Sequence, residues 1–236
     1  MVALFVILTV IAFIAIDALV QRAEAREQRR AQPTALTSRE RRGSVLALEG
    51  VSVPQGMFFD VGHTWVDLDS SGRVRVGVDD FAQRAIGRID AVEMPEVGRP
   101  VRRGETLFVV RQGERTAAFV APVDGVVAAV NERLARHADA IKIDPYEQGW
   151  VCVLRPRNLA QHLRRLAVAG EATTWMNKEI ERFRQLIAAH PFKAMARGQV
   201  LQDGGRLTDG VLEMMDDETW SRFTREFLHP DEWARA

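Results

Sequence analysis

Between residues 57 and 156 the sequence is a succession of short β-type runs punctuated by Gly- and Pro-bearing turns. That pattern confines the stretch to a compact barrel or sandwich. Val74, Val76 and Val78 alternate with polar or small residues, the period of a half-buried strand, and Ser70-Ser71-Gly72 before them is a turn signal. Asp79 to Gly87 predicts a short helix, capped by Asp79 or Asp80 and stopped by Gly87. Gly98-Arg99-Pro100 and Arg103-Gly104-Glu105 predict turns, with a strand from Thr106 to Val110. The stretch from Phe108 to Gly125 reads as two strands around a tight turn, Arg111-Gln112-Gly113-Glu114-Arg115. Val126 to Val130 and Trp150 to Leu154 complete the set.

From Asn158 onward the period changes to that of helix. Leu159, Leu163, Leu166 and Ala167 share one face, in a segment expected to end at Gly170. Met176, Ile180, Phe183 and Ile187 form a second apolar stripe, ended by Pro191. Trp220, Phe223 and Phe227 mark a third amphipathic helix. The acidic trio Asp216, Asp217 and Glu218 at its start reads as favourable charge at the helix dipole rather than as a metal site.

The first residues have a different character. Met1 to Val20 is almost uniformly apolar, with Asp17 the sole charged side chain. Roughly 20 such residues are what a helix needs to cross a bilayer core of about 30 Å. Basic residues follow the run (Arg22, Arg26, Arg29, Arg30) and none precedes it, which predicts an uncleaved anchor with everything after it in the cytoplasm. Residues 21–56 then read as a linker. Its arginines either contact anionic headgroups or only set topology. The expected organisation is a transmembrane helix over 1–20, a linker over 21–56, a β domain over 57–156 and a helical extension over 157–236.

Chemistry-bearing motifs are sparse. The 236 residues carry 32 basic and 32 acidic side chains, so net charge gives no case for nucleic acid as a partner. The single cysteine, Cys152, excludes an intramolecular disulfide and reads as part of a strand core. His63, His137, His162, His190 and His229 have no metal-binding spacing, and no phosphate loop, Rossmann fingerprint or Gly-x-Ser-x-Gly is present.

Six segments in the middle of the chain carry a resemblance. They are His63-Thr64-Trp65-Val66, Val76 to Gln83, Val92-Glu93-Met94-Pro95-Glu96-Val97-Gly98, Ala121-Pro122-Val123-Asp124-Gly125, Val130-Asn131-Glu132 and Asp144 to Trp150. In that order they resemble the H-protein family of the glycine cleavage system. The resemblance implies a mainly β fold, a flattened barrel of two small sheets related to lipoyl and biotinyl carrier domains, here with an α-helical C-terminal extension. It also implies a hairpin whose turn presents a lysine that carries lipoic acid. Counted back from the shared Ala-Pro-Val-x-Gly, the position of that lysine is Glu114. The chain's lysines are Lys142, Lys178 and Lys193, none of them in the hairpin.

Three functions follow as expectations. The first is a membrane-tethered, non-lipoylated H-protein-like adaptor without a cofactor, catalytic residue or metal. It would dock a cytoplasmic or membrane-associated protein partner, an enzyme or electron-transfer complex. Its contact site would be Arg111, Gln112, Gly113, Glu114 and Arg115, which read equally as an ordinary polar turn. The second is the family's lipoyl-type carrier of aminomethyl groups. The third is an enzyme built from residues that only the fold brings together. The first is the expectation adopted, as a single-pass membrane protein with a cytoplasmic C-terminal domain.

Overall fold

Alternation along the chain decides which side chains meet. Val74, Val76 and Val78 all point inward from one strand and are fully buried. Trp65 sits opposite Gly77 on the neighbouring strand and donates its indole N–H to Val78 O at 3.0 Å. The glycine makes this possible, since a Cβ at residue 77 would lie 2.6 Å from the indole ring. The computed structural model describes residues 51–189 and 209–229, all within one compact unit, Leu46–Ala236.

Among the described residues ten strands form two antiparallel sheets. They are β1 (Phe58–Phe59), β2 (Thr64–Leu68), β3 (Val74–Val78), β4 (Ala91–Glu93), β5 (Pro100–Val101), β6 (Thr106–Gln112), β7 (Arg115–Val120), β8 (Gly125–Val130), β9 (Trp150–Pro156) and β10 (Ala167–Val168). The seven-stranded sheet runs β10-β1-β2-β3-β9-β8-β5 and the three-stranded sheet β4-β6-β7. Five helices accompany them among the described residues: α1 (Asp80–Ile86), α2 (Ala140–Ile143), α3 (Leu159–Leu163), α4 (Ala169–Ala189) and α5 (Asp217–Phe223). Asp79 caps α1, its Oδ1 accepting the Ala82 N–H at 2.8 Å. Gly87 ends that helix with φ +86°, a backbone that side chains other than hydrogen disfavour.

The expected mainly β fold with C-terminal helices is what the chain forms, with three differences. The sheets do not join into a closed barrel, because the three-stranded sheet is a separate ladder. Gly170 does not end a helix. Ala167–Val168 pairs with β1 as a strand, and Gly170 lies in the first turn of α4. The chain is also held before residue 57, since Ser52 N–H donates to Asp80 Oδ2 at 2.7 Å and Ser52 O accepts the Tyr146 hydroxyl at 2.6 Å. The apolar run Met1 to Val20 and most of the expected linker lie outside the described residues. Among the described residues no helix is long and apolar enough to cross a membrane.

Both sheets and the C-terminal helices share one core. Met176, Ile180, Phe183 and Leu186 of α4 are buried with Phe81 of α1 and with Trp220 and Phe223 of α5. The helical stripes read from the sequence are the faces that cover the β strands.

Candidate functional site

The β6–β7 hairpin closes through a two-residue turn. Gln112 pairs with Arg115, leaving Gly113 and Glu114 at the tip. Gly113 has φ +56°, the left-handed conformation that such turns require of their first residue. Glu114 is exposed. Its neighbours are engaged within the chain. Gly113 N–H donates to Asp90 Oδ2 at 2.7 Å, and Arg111 pairs with Glu93 across to β4. Gln112 is buried and donates its amide to Ile86 O at 2.5 Å and Arg88 O at 3.1 Å.

Arg115 joins this turn to residues a hundred positions later. Its guanidinium donates to Leu212 O at 2.9 Å and Met215 O at 2.7 Å, and pairs with Asp217 at 2.7 Å. It also lies 5.5 Å from the Trp220 ring centroid, within cation–π range, while the Trp220 indole N–H donates to Thr116 O at 3.0 Å. Three further contacts fix the start of that segment on the end of α1. Gly210 N–H donates to Arg84 O at 2.7 Å, Arg84 pairs with Asp209 at 3.2 Å, and Arg88 N–H donates to Glu213 Oε1 at 2.6 Å. The approach depends on glycine, because a Cβ on Gly87 would lie 2.5 Å from Gly210 Cα. Asp216 caps α5 by accepting Thr219 N–H at 2.9 Å, which is the helix-start role expected of the acidic trio.

Beneath the helices lies a buried charged group. His63 is fully buried with φ +59°, its Nδ1 2.7 Å from Asp79 Oδ2 and its Nε2 3.8 Å from Glu179 Oε2. The longer separation exceeds hydrogen-bond reach, so Glu179 acts on the ring through charge alone. Phe81 and Trp175 lie against the imidazole at 4.6 and 5.1 Å between ring centroids. Burial alone would lower the pKa of His63, but the Asp79 carboxylate, with Glu179 behind it, outweighs burial and holds it up at about 9. Burial likewise works to raise Glu179, and is outweighed by His63 and by Arg182, so that carboxyl stays below its ordinary range. The ring is therefore a resident cation between the β domain and α4, sealed from solvent and from any substrate.

The other residues singled out in the sequence do not assemble into a catalytic group. Cys152 is buried in β9, where burial pushes its thiol up to about 12, far from a reactive thiolate. Lys142 is exposed on α2 and Lys178 is exposed on α4. His162 Nε2 is 3.2 Å from Asp124 Oδ2, well apart in sequence from His63 and from His137, which is exposed. Among the described residues no group of three or more His, Cys, Asp or Glu side chains is placed to hold a metal ion. His190 and Lys193 lie outside the described residues.

The family model described as Glycine cleavage H-protein matches residues 57–179, a little over half of the chain. The chain belongs to the glycine cleavage H-protein family. Among relatives, the probable glycine cleavage system H protein of Pyrococcus furiosus is 38% identical over 114 residues, 48% of this chain and 84% of that protein. The glycine cleavage system H protein of Thermus thermophilus is 37% identical over 109 residues, 46% of this chain and 84% of that protein. A crystal structure of a glycine cleavage system H protein from Mycobacterium marinum is 30% identical, covers 44% of this chain and 86% of that chain, and has a TM-score of 0.42.

The H-protein match overturns one expectation and leaves others open. A single-pass membrane protein with a cytoplasmic C-terminal domain is not what the findings support. The relatives are named as glycine cleavage H proteins, and no described helix is long and apolar enough to cross a membrane. The match ends within α4, so residues 209–229, which clamp the hairpin, lie beyond it. Sequence reading found the turn but missed the Arg115 clamp and the His63 cation, since neither has a local spacing. The one available signal was the His-x-Trp segment itself, which places His63 next to the buried Trp65 strand.

Proposed function

We propose that this chain is a non-lipoylated H-protein-like binding module that docks a protein partner and does not itself turn over a substrate. The observation that carries the reading is Glu114 at the hairpin position where the family resemblance puts the lipoyl lysine. Lipoic acid is attached through an amide, and that bond needs an amine nucleophile. A carboxylate has none, and the guanidiniums of Arg111 and Arg115 are engaged in ion pairs. No lysine precedes Lys142, so no shift of alignment brings one to the turn. The contact would fall on the exposed tip, Gly113 and Glu114, with the exposed part of Arg111. Gln112 and Arg115 would hold the shape of the turn.

The names of the relatives favour a second reading, a lipoyl-type aminomethyl carrier of the glycine cleavage system. Its attachment would have to be at Lys142, Lys178 or Lys193. Incubation with lipoate–protein ligase, lipoate and ATP separates the two. The wild type is expected to remain unmodified, and Glu114→Lys to gain one lipoyl group at residue 114, read by peptide mass. Modification of the wild type at any of the three lysines would return the chain to the carriers. An unmodified Glu114→Lys protein would remove the equivalence of residue 114 on which the reading rests.

A further inference from the structure

The outer face of the seven-stranded sheet carries arginines without an ion pair among the described residues. β5 is its edge strand. Pro100 pairs with Val126 and Val101 with Gly125, and the same two β8 residues pair with Arg155 and Pro156 of β9. Cross-strand partners share a face, and residues two apart along a strand return to it. Arg155 therefore stands on the face of Pro100. Arg102 and Arg157 fall one step further along, flanking Asp124, whose carbonyl accepts Arg157 N–H at 2.8 Å. All three arginines are exposed, and among the described residues none has a carboxylate within ion-pair distance.

Some other arginines are paired within the fold, as in Arg75 with Asp67, Arg88 with Asp90 and Arg103 with Asp60. Asp124 and Glu105 are carboxylates in the group and both are engaged, Glu105 Oε2 accepting Arg102 N–H at 2.9 Å. Asp124 Oδ1 accepts Arg103 N–H at 2.7 Å and Asp124 Oδ2 faces His162. Pro100 is exposed on the same face as Arg155, with Arg102 two residues further along the chain. An exposed apolar residue among arginines is the composition of a protein contact surface. Pro100 lacks an N–H and blocks addition of a further strand at this edge, so contact must be made by side chains.

We propose that the face formed by Pro100, Arg102, Arg155 and Arg157 docks an acidic segment of a partner protein. The inference rests on the binding-module reading and gives that partner its chemistry. A protein is favoured over nucleic acid because the chain as a whole carries no net charge and the arginines form a local group beside exposed Pro100.

The test uses the full chain and short fluorescent poly-L-glutamate, followed by anisotropy at rising salt. The wild type is expected to bind, more weakly as salt screens the contact. R102Q/R155Q/R157Q is expected to bind at least about tenfold more weakly, each single change giving part of the loss. R88Q/R184Q/R225Q, which removes equal charge from paired arginines elsewhere, is expected to stay within about twofold. No binding by the wild type at low salt, equal loss in the two triple variants, or tighter binding of duplex DNA would each overturn the proposal. A lipoyl adduct on the native chain would instead refute the binding-module reading and leave this result untouched.

Discussion

His63 is the residue whose charge reaches furthest. It sits in a left-handed backbone conformation at a buried position, with Asp79 on one side and Glu179 of α4 on the other. The other charges near it are Arg182, which holds Glu179, and Asp60, which is paired with Arg103. Because its folded pKa of about 9 lies above the unfolded value of 6.5, the proton stabilises the native state. That contribution is fully present below pH 6.5 and is lost as pH rises through about 9. Urea unfolding across this range should show stability falling toward alkaline pH, and His63→Gln should flatten the fall. The variant itself is expected to be about 3–5 kcal/mol less stable at neutral pH, because it leaves the buried Asp79 carboxylate facing no cation, whereas Glu179 keeps Arg182. An unchanged alkaline fall in His63→Gln would show that the dependence arises elsewhere.

At the scale of elements, the hairpin and the C-terminal segment hold one another. Arg115 supplies donors to Leu212 O, which also accepts Met215 N–H, and to Met215 O just past the turn at Val211–Met214. Arg115→Ala removes those donors and should cost about 2–3 kcal/mol. Amide exchange in residues 211–228 should quicken while β3 and β9 keep their protection. Equal loosening of both would mean that the clamp serves the whole core rather than the segment.

The strands of this region were legible because alternation depends on nearest neighbours, as in Val74, Val76 and Val78. The α5 stripe of Trp220 and Phe223 was legible for the same local reason. The clamp was not, since Arg115 and Asp217 carry no mark of each other across that span of sequence. β10 was misread as the tail of a helix because Ala167 fits either period, and only β1 as a partner decides for strand.

For the whole molecule, an H-protein scaffold is joined to a helical segment that completes its core. Phe223 and Phe227 close on Phe81 and Phe183 with ring centroids 5.3–6.5 Å apart. The family was readable from six short segments, because their order is a matter of sequence position. The closed barrel implied by the resemblance was not realised, since the β4-β6-β7 ladder stays separate from the larger sheet. The membrane expectation rested on residues outside those described and found no support among the others.

We propose that this H-protein scaffold works without a lipoyl arm. Intact and peptide-level mass spectrometry of the protein isolated from its own cells is the direct test. Unmodified peptides containing Glu114, Lys142, Lys178 and Lys193 are the expected result. A lipoyl adduct on any of these lysines would contradict it and make the chain a carrier like the relatives whose names it matches.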